Sequence, residues 1–359
     1  MKKLLPLLLA IVCLVSLIGL GFRLPGGLLT YIDKKGDHQP VKTKSDWTIK
    51  RAQILDSMQQ VMGPLPAIDH RKAPQMEIKS SEKRNGYTRL EIRFLAAPGE
   101  WVPAYLYIPE QQGAIRKLPA MLVLHGTGAP GKKIVDGASP KPNRAHAREL
   151  AERGYVVIAP DYPGMGDLAD HDFHSDRYQS GTMKALFSHI RCIDLLASRN
   201  DVDPERIGVL GHSLGGHNAM FAAAFDKRLK VVVASCGWTK FDHYNIGEEA
   251  SKRYGGRLGP WAQDRYMPLI RDRYKLENIP FDFPEVIAAI APRAFFSNSP
   301  VKDGNFDVEG VKKGIREAAE VYQFLGAAGH LQVRYPDAGH DFPEDVRMEA
   351  YRYIDEILR

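Results

Sequence analysis

Ser213 stands at the centre of Gly211-His212-Ser213-Leu214-Gly215, with the apolar run 207–210 directly before it and a helix-like run at 218–225 after it. A serine hydroxyl is a weak nucleophile at neutral pH and needs a base to take its proton. A strand, a very tight turn and a helix, with the serine at the apex, is the context that turns a G-x-S-x-G match into a nucleophile elbow. Gly211 and Gly215 are then required, because a side chain at either position would collide with the neighbouring strand or helix. The start of the helix aims free N–H groups and positive dipole at the place where an oxyanion would form.

The base needs a carboxylate to fix its tautomer and to stabilise the imidazolium. In the order serine, acid, histidine, both partners follow the serine after later strands. His340 lies five residues beyond the run 331–335, and Ala338 and Gly339 before it permit a tight loop back over a sheet. His330 precedes that run and belongs to the opposite end, while His212 is expected to point away beside the elbow. The loop after the run 294–298 offers Asp303, Asp307 and Glu309. Asp303 has the reach of an acid that must touch the histidine; Asp307 and Glu309 look more like first-turn helix acids. The expected oxyanion donors are the N–H groups of Leu214 and of Thr127, the latter in His125-Gly126-Thr127-Gly128 after the run 120–124. His125 itself reads as structural.

These side chains need a frame. The runs 120–124, 155–159, 207–210, 231–235 and 294–298 are apolar throughout, as strands covered on both faces are. Residues 331–335 read as a further strand, and helical patterns occupy 46–62, 143–153, 178–198, 311–325 and 346–358. Alternation at 87–94 and 101–108 gives an antiparallel pair joined at Ala97-Pro98-Gly99. The expected fold class is therefore α/β, a mostly parallel central sheet with helices on both faces and an antiparallel N-terminal edge. Ligands bind such sheets off the carboxyl ends of the strands, where Thr127, Ser213, Trp238, Asp303 and His340 fall. The segment 238–290 lacks a strand pattern and carries many aromatic and basic residues, so it is expected to lie over the site as a cap. Tyr162, Trp238 and Tyr266 are the candidate substrate contacts.

With 359 residues, 44% hydrophobic and 26% charged, the composition is that of an ordinary globular protein. The net charge of +6 is concentrated: residues 1–50 carry +5, which leaves +1 for the other 309 and removes the case for a nucleic-acid partner. Lys2 and Lys3, an uncharged run over 4–22, then Arg23 and Pro25-Gly26-Gly27 read as a signal peptide or uncleaved anchor over 1–27. The expected organisation is that leader, a polar linker at 28–45 and a catalytic body at 46–359. The body would lie outside the cytoplasm, with membrane contact through the N-terminal segment alone. Cys192 and Cys236, the cysteines of the body, each sit in an apolar run and read as buried free thiols. No Cys/His spacing suggests a metal site, and the serine mechanism calls for no cofactor.

Taken together, His125-Gly126-Thr127, Ala159-Pro160-Asp161-Tyr162, Gly211-His212-Ser213-Leu214-Gly215-Gly216, Asp303 and Gly339-His340 make the chain resemble the serine α/β-hydrolases over about residues 85–359. It is similar to their dienelactone-hydrolase-like and acetyl-xylan-esterase-like branch, whose members often act on esters of sugars. Ser213 stands where true dienelactone hydrolases carry cysteine, so lactone hydrolysis of that kind is not implied. What the resemblance implies is an α/β-hydrolase fold and an exported serine carboxylesterase working through an acyl-enzyme on a small-molecule or carbohydrate ester, with Ser213, Asp303 and His340 as its triad. A serine peptidase of the prolyl-oligopeptidase type is one alternative, but fewer than 120 residues precede the first buried strand, too few for the propeller such enzymes carry. A non-catalytic hydrolase-fold binding protein is the other, and the complete set Ser213, Asp303 and His340 argues against it. Gly211 to Gly216 does not follow G-x-G-x-x-G, which sets aside a nicotinamide-dependent enzyme.

Overall fold

The computed structural model describes residues 27–111 and 116–359. The expected leader at 1–27 lies, apart from Gly27, outside the described residues. Among those described, no helix is long and apolar enough to cross a membrane.

Residues 28–45 are not the polar linker the sequence suggests. β1 (Thr30–Ile32) and β2 (His38–Pro40) pair antiparallel, and Leu28 and Val41 beside them are buried. Gln53 of α1 (Lys44–Met62) exchanges two hydrogen bonds with the backbone of Ile32, which clips the hairpin to the helix. Strands of three residues are too short to show a period, so the charged turn between them dominates the sequence pattern.

Nine strands form the main sheet: β3 (Met76–Arg84), β4 (Tyr87–Ala97), β5 (Glu100–Pro109), β6 (Leu118–Leu124), β7 (Val156–Pro160), β8 (Val202–His212), β9 (Leu229–Ser235), β10 (Ala294–Asn298) and β11 (Leu331–Arg334). Their order is β11-β10-β9-β8-β6-β7-β5-β4-β3, with β6 to β11 parallel and β3, β4 and β5 antiparallel at one edge. The edge has one strand more than the alternation shows, because β3 is exposed over most of its length and carries charge on both faces.

The remaining helices are α2 (His146–Glu152), α3 (Gly181–Ala197), α4 (Leu214–Phe225), α5 (Glu248–Arg253), α6 (Leu269–Asp272), α7 (Phe283–Ile290), α8 (Val308–Phe324) and α9 (Glu344–Leu358). Alternate residues of each central strand serve opposite cores, the period of two that a strand imposes. Met121 and Val123 pack with α2 and α9, while Ala120, Leu122 and Leu124 pack with α1, α3, α4, α7 and α8. The insertion between β9 and β10 is narrower as a cap than 238–290. All eight residues of α7 are buried, so its last part belongs to the helical layer. The rest is tied down by aromatic contacts among Phe241, Trp261, Phe281 and Phe283, and by Phe221 of α4 stacked on Phe283.

Buried histidines weaken this fold in acid. Burial pushes His146, His189 and His217 down to about 3, from 6.5 in an exposed chain. Between those values the unfolded chain binds protons that the folded chain refuses, so stability is full above pH 6.5 and falls as the pH drops. From pH 7 to pH 5.5 the three groups together are expected to remove about 4 kcal/mol of unfolding free energy. Urea unfolding at the two pH values checks this, and equal stabilities would contradict it.

Candidate active site

β8 ends and α4 begins on either side of Ser213, which holds φ 58° and ψ −120°, a conformation strained for any residue with a side chain. The geometry explains the two glycines. A Cβ on Gly211 would meet the Gly215 carbonyl oxygen at 2.0 Å, and one on Gly215 would meet that of Leu124 at 2.0 Å. The Ser213 N–H donates to the Ser235 carbonyl at 2.8 Å, which ties the turn to β9. Leu214 is the first residue of α4, so its N–H has no acceptor within the helix.

His340 shares a cleft of about 420 Å³ with Ser213. Its Nδ1 lies 3.0 Å from both carboxylate oxygens of Asp303, whose side chain is 1% exposed. Asp303 also accepts from the N–H groups of Asn305 and Phe306. Asp307 instead caps α8, accepting from the N–H groups of Glu309 and Gly310, and Glu309 pairs with Lys312. The loop that carries His340 is held through the next residue. Asp341 takes Arg144 at 2.5 Å and Asn143 at 2.8 Å, and Asn298 donates to its carbonyl at 2.9 Å. Arg144 reaches the His340 carbonyl as well. None of this is visible in the sequence, because Asn143 and Arg144 come from the loop before α2 and Asn298 from the end of β10. His212 does not simply point away. It lies buried against the Ser235 hydroxyl, its ring 5.0 Å from that of His340.

The turn after β6 brings Gly126 against the nucleophile, since a Cβ there would lie 3.5 Å from that of Ser213. His125 fixes this turn: Nδ1 donates to the Gly126 carbonyl at 2.7 Å, and Nε2 accepts the Tyr162 N–H at 3.1 Å. The turn is anchored further along by Lys132, whose fully buried ammonium lies 2.7 Å from both Asp161 and Asp167. Asp161 packs so closely that Gly131 and Gly166 have no space for a side chain.

A second cleft, of about 240 Å³, opens on the cap side of Ser213 and is lined by Tyr254, Trp261, Tyr266 and Phe306 among others. Thr127, Ser213 and Asn305 border both clefts. Of the candidate substrate contacts, Tyr266 is in place: it lines the cap-side cleft, and its hydroxyl meets the Thr127 hydroxyl at 2.9 Å. Trp238 and Tyr162 are not. Trp238 is 1% exposed, donates to Ser297 and packs under Gly314. Tyr162 is buried with its hydroxyl on the Arg265 carbonyl. A place at a strand's carboxyl end does not say whether a side chain points up to the cleft or down to the helices. Phe306, His217 and Asn305 line the clefts without any motif to announce them. Cys192 and Cys236 are free and buried.

A family model described as the Alpha/beta hydrolase family matches residues 121–312. The protein YtaP of Bacillus subtilis (strain 168) is 29% identical over 320 residues, 86% of this chain and all of that one. Among solved structures, a glucuronoyl esterase from Solibacter usitatus superposes with a TM-score of 0.68 at 20% identity, covering 92% of this chain and 96% of the other. An acetyl xylan esterase from Paenibacillus sp. R4 gives 0.57 at 18% identity, covering 86% and 94%. At such identities the two structures establish a common fold.

Proposed function

The chain belongs to the alpha/beta hydrolase family, and from that premise we propose that it is an exported serine esterase that cleaves carboxylic esters borne on carbohydrate. The observation that carries this reading is the meeting, in one cleft, of the strained Ser213 with His340, whose Nδ1 is occupied by the buried Asp303. His340 takes the Ser213 proton through its other nitrogen as the hydroxyl attacks the ester carbonyl. The N–H groups of Leu214 and Thr127 stabilise the oxyanion. The protonated histidine then hands its proton to the leaving alcohol, and water repeats the sequence on the acyl-enzyme. Two clefts that meet at the serine suit an ester, one for the acyl group and one for the alcohol. The aromatic faces of Tyr254 and Tyr266 on the cap side suit a sugar ring, and the two structural neighbours named above are called a glucuronoyl esterase and an acetyl xylan esterase. Export rests on the residue pattern of positions 1–27.

The substrate reading is tested by comparing acetylated xylan, a glucuronoyl ester, p-nitrophenyl acetate and a peptide p-nitroanilide. Esters are expected to exceed the anilide by at least about 10³-fold in kcat/KM. Comparable turnover of the anilide would replace the esterase reading by the peptidase one. Tyr266→Phe removes the hydrogen bond that links the cap to Thr127, and a loss of about 1 kcal/mol of transition-state binding is expected. That is a fall of about 3–10-fold in ester kcat/KM with an unchanged melting temperature. An unaltered rate would show that the link does not hold the oxyanion loop.

A further inference from the structure

Cys236, Asp303 and His340 stand 67 and 37 residues apart in the chain, so no spacing rule joins them. The sheet does. β9, β10 and β11 are parallel neighbours, and each delivers one of these residues just beyond its carboxyl end. One sulfur, one carboxylate oxygen and one imidazole nitrogen then lie within 4.8 Å of one another. The imidazole atom on the Asp303 side is Nδ1, 3.0 Å from the carboxylate. Cys236 holds φ 47°, with its Sγ 3.1 Å from the Asp341 carbonyl.

We propose that these three side chains form a binding site for a thiophilic divalent cation of the zinc type, and that the bound ion switches the enzyme off. Thiolate, imidazole and carboxylate together are a zinc donor set, whereas magnesium and calcium require oxygen alone. Tetrahedral zinc keeps such donors about 3.4–3.8 Å apart. The widest separation here exceeds that by at most about 1 Å, within the reach of a side-chain rotation. The charges also close. The ion displaces the Cys236 thiol proton to solvent, and thiolate plus carboxylate neutralise its two charges, as a buried site demands. With these three side chains as ligands, a water would complete the tetrahedron. Three protein ligands and one open position suffice for zinc.

Inhibition follows from the tautomer, and this part rests on the role given to His340 above. While Asp303 holds the proton on Nδ1, Nε2 is free to accept from Ser213. A cation on Nδ1 moves that proton to Nε2, which then donates and cannot act as a base. The ion also withdraws the carboxylate that stabilises the imidazolium.

The test uses the full, untagged chain stripped of metal and titrated with cobalt(II). One equivalent is expected to give the near-ultraviolet thiolate-to-cobalt band and the visible spectrum of a tetrahedral site, both abolished by zinc. Ester turnover is expected to fall in step with occupancy and to return with a chelator. Cys236→Ser is expected to lose the thiolate band and to need at least about tenfold more zinc for half inhibition, with metal-free turnover within about threefold of the parent. A folded wild-type chain that takes up no cobalt, or binds it without the thiolate band, overturns the site. So does Cys236→Ser inhibited at the parent's zinc concentration. The band in a chain with no ester turnover keeps the site and removes the esterase reading. Full turnover, undiminished by zinc, does the reverse.

Discussion

Ser213→Ala is expected to remove ester turnover by about 10⁵–10⁶-fold, to the level left by binding and the oxyanion donors alone. The fold should survive, because alanine takes the same backbone strain and keeps the backbone hydrogen bond to Ser235. Ser213→Gly makes a sharper companion. At φ 58° and ψ −120° a residue with a Cβ costs about 1–3 kcal/mol, which glycine does not. The glycine variant is therefore expected to be equally inactive yet more stable than the alanine variant by about 1 kcal/mol, even after the added freedom of its unfolded chain. Activity and urea unfolding of the pair check both halves. A glycine variant less stable than alanine would mean that the turn is not strained, and residual activity within 100-fold of the parent would give the nucleophile's role to another group.

Asp303→Asn is expected to cost about 10⁴-fold in kcat at neutral pH. The amide can still meet His340, but its NH₂ favours an imidazole with the proton on Nε2, the wrong tautomer for accepting from Ser213. The carboxylate is buried, with His340 Nδ1 and the N–H groups of Asn305 and Phe306 as its partners, so the exchange leaves the packing intact. Asp307→Asn serves as the control. It removes charge from a helix cap that does not touch His340, and a change of less than about threefold is expected. Equal losses at the two positions would mean that general stability, not the tautomer of His340, governs the rate.

Much of this architecture is legible from residue order because the physics is local. Uniformly apolar strands can only be buried on both faces, and a serine between glycines at a strand-to-helix turn has one sterically sensible geometry. The triad candidates were recoverable from position relative to strands, since each later strand of a parallel sheet ends on the same edge. What could not be read is what depends on orientation or on distant neighbours. Trp238 and Tyr162 occupy promising positions and turn inward to Ser297 and to the Arg265 carbonyl. The hairpin at 30–40 and the strand β3 lack periodicity because one is too short and the other is solvated. Arg144 and Asn298, which hold the His340 loop through Asp341, act across more than forty residues of sequence. The same holds for Cys236, whose meeting with Asp303 and His340 arises only when three strands lie side by side.

That Ser213 is a nucleophile activated by His340 and Asp303 is tested most directly by covalent capture: the folded chain is treated with one equivalent of a fluorophosphonate at neutral pH, and the labelled peptide is located by mass spectrometry. The expected result is a single adduct on Ser213, formed slowly in Asp303→Asn and not at all in Ser213→Ala. A folded chain that takes no label, or takes it at the same rate when Ser213 or Asp303 is replaced, would mean that Ser213 is not the activated nucleophile.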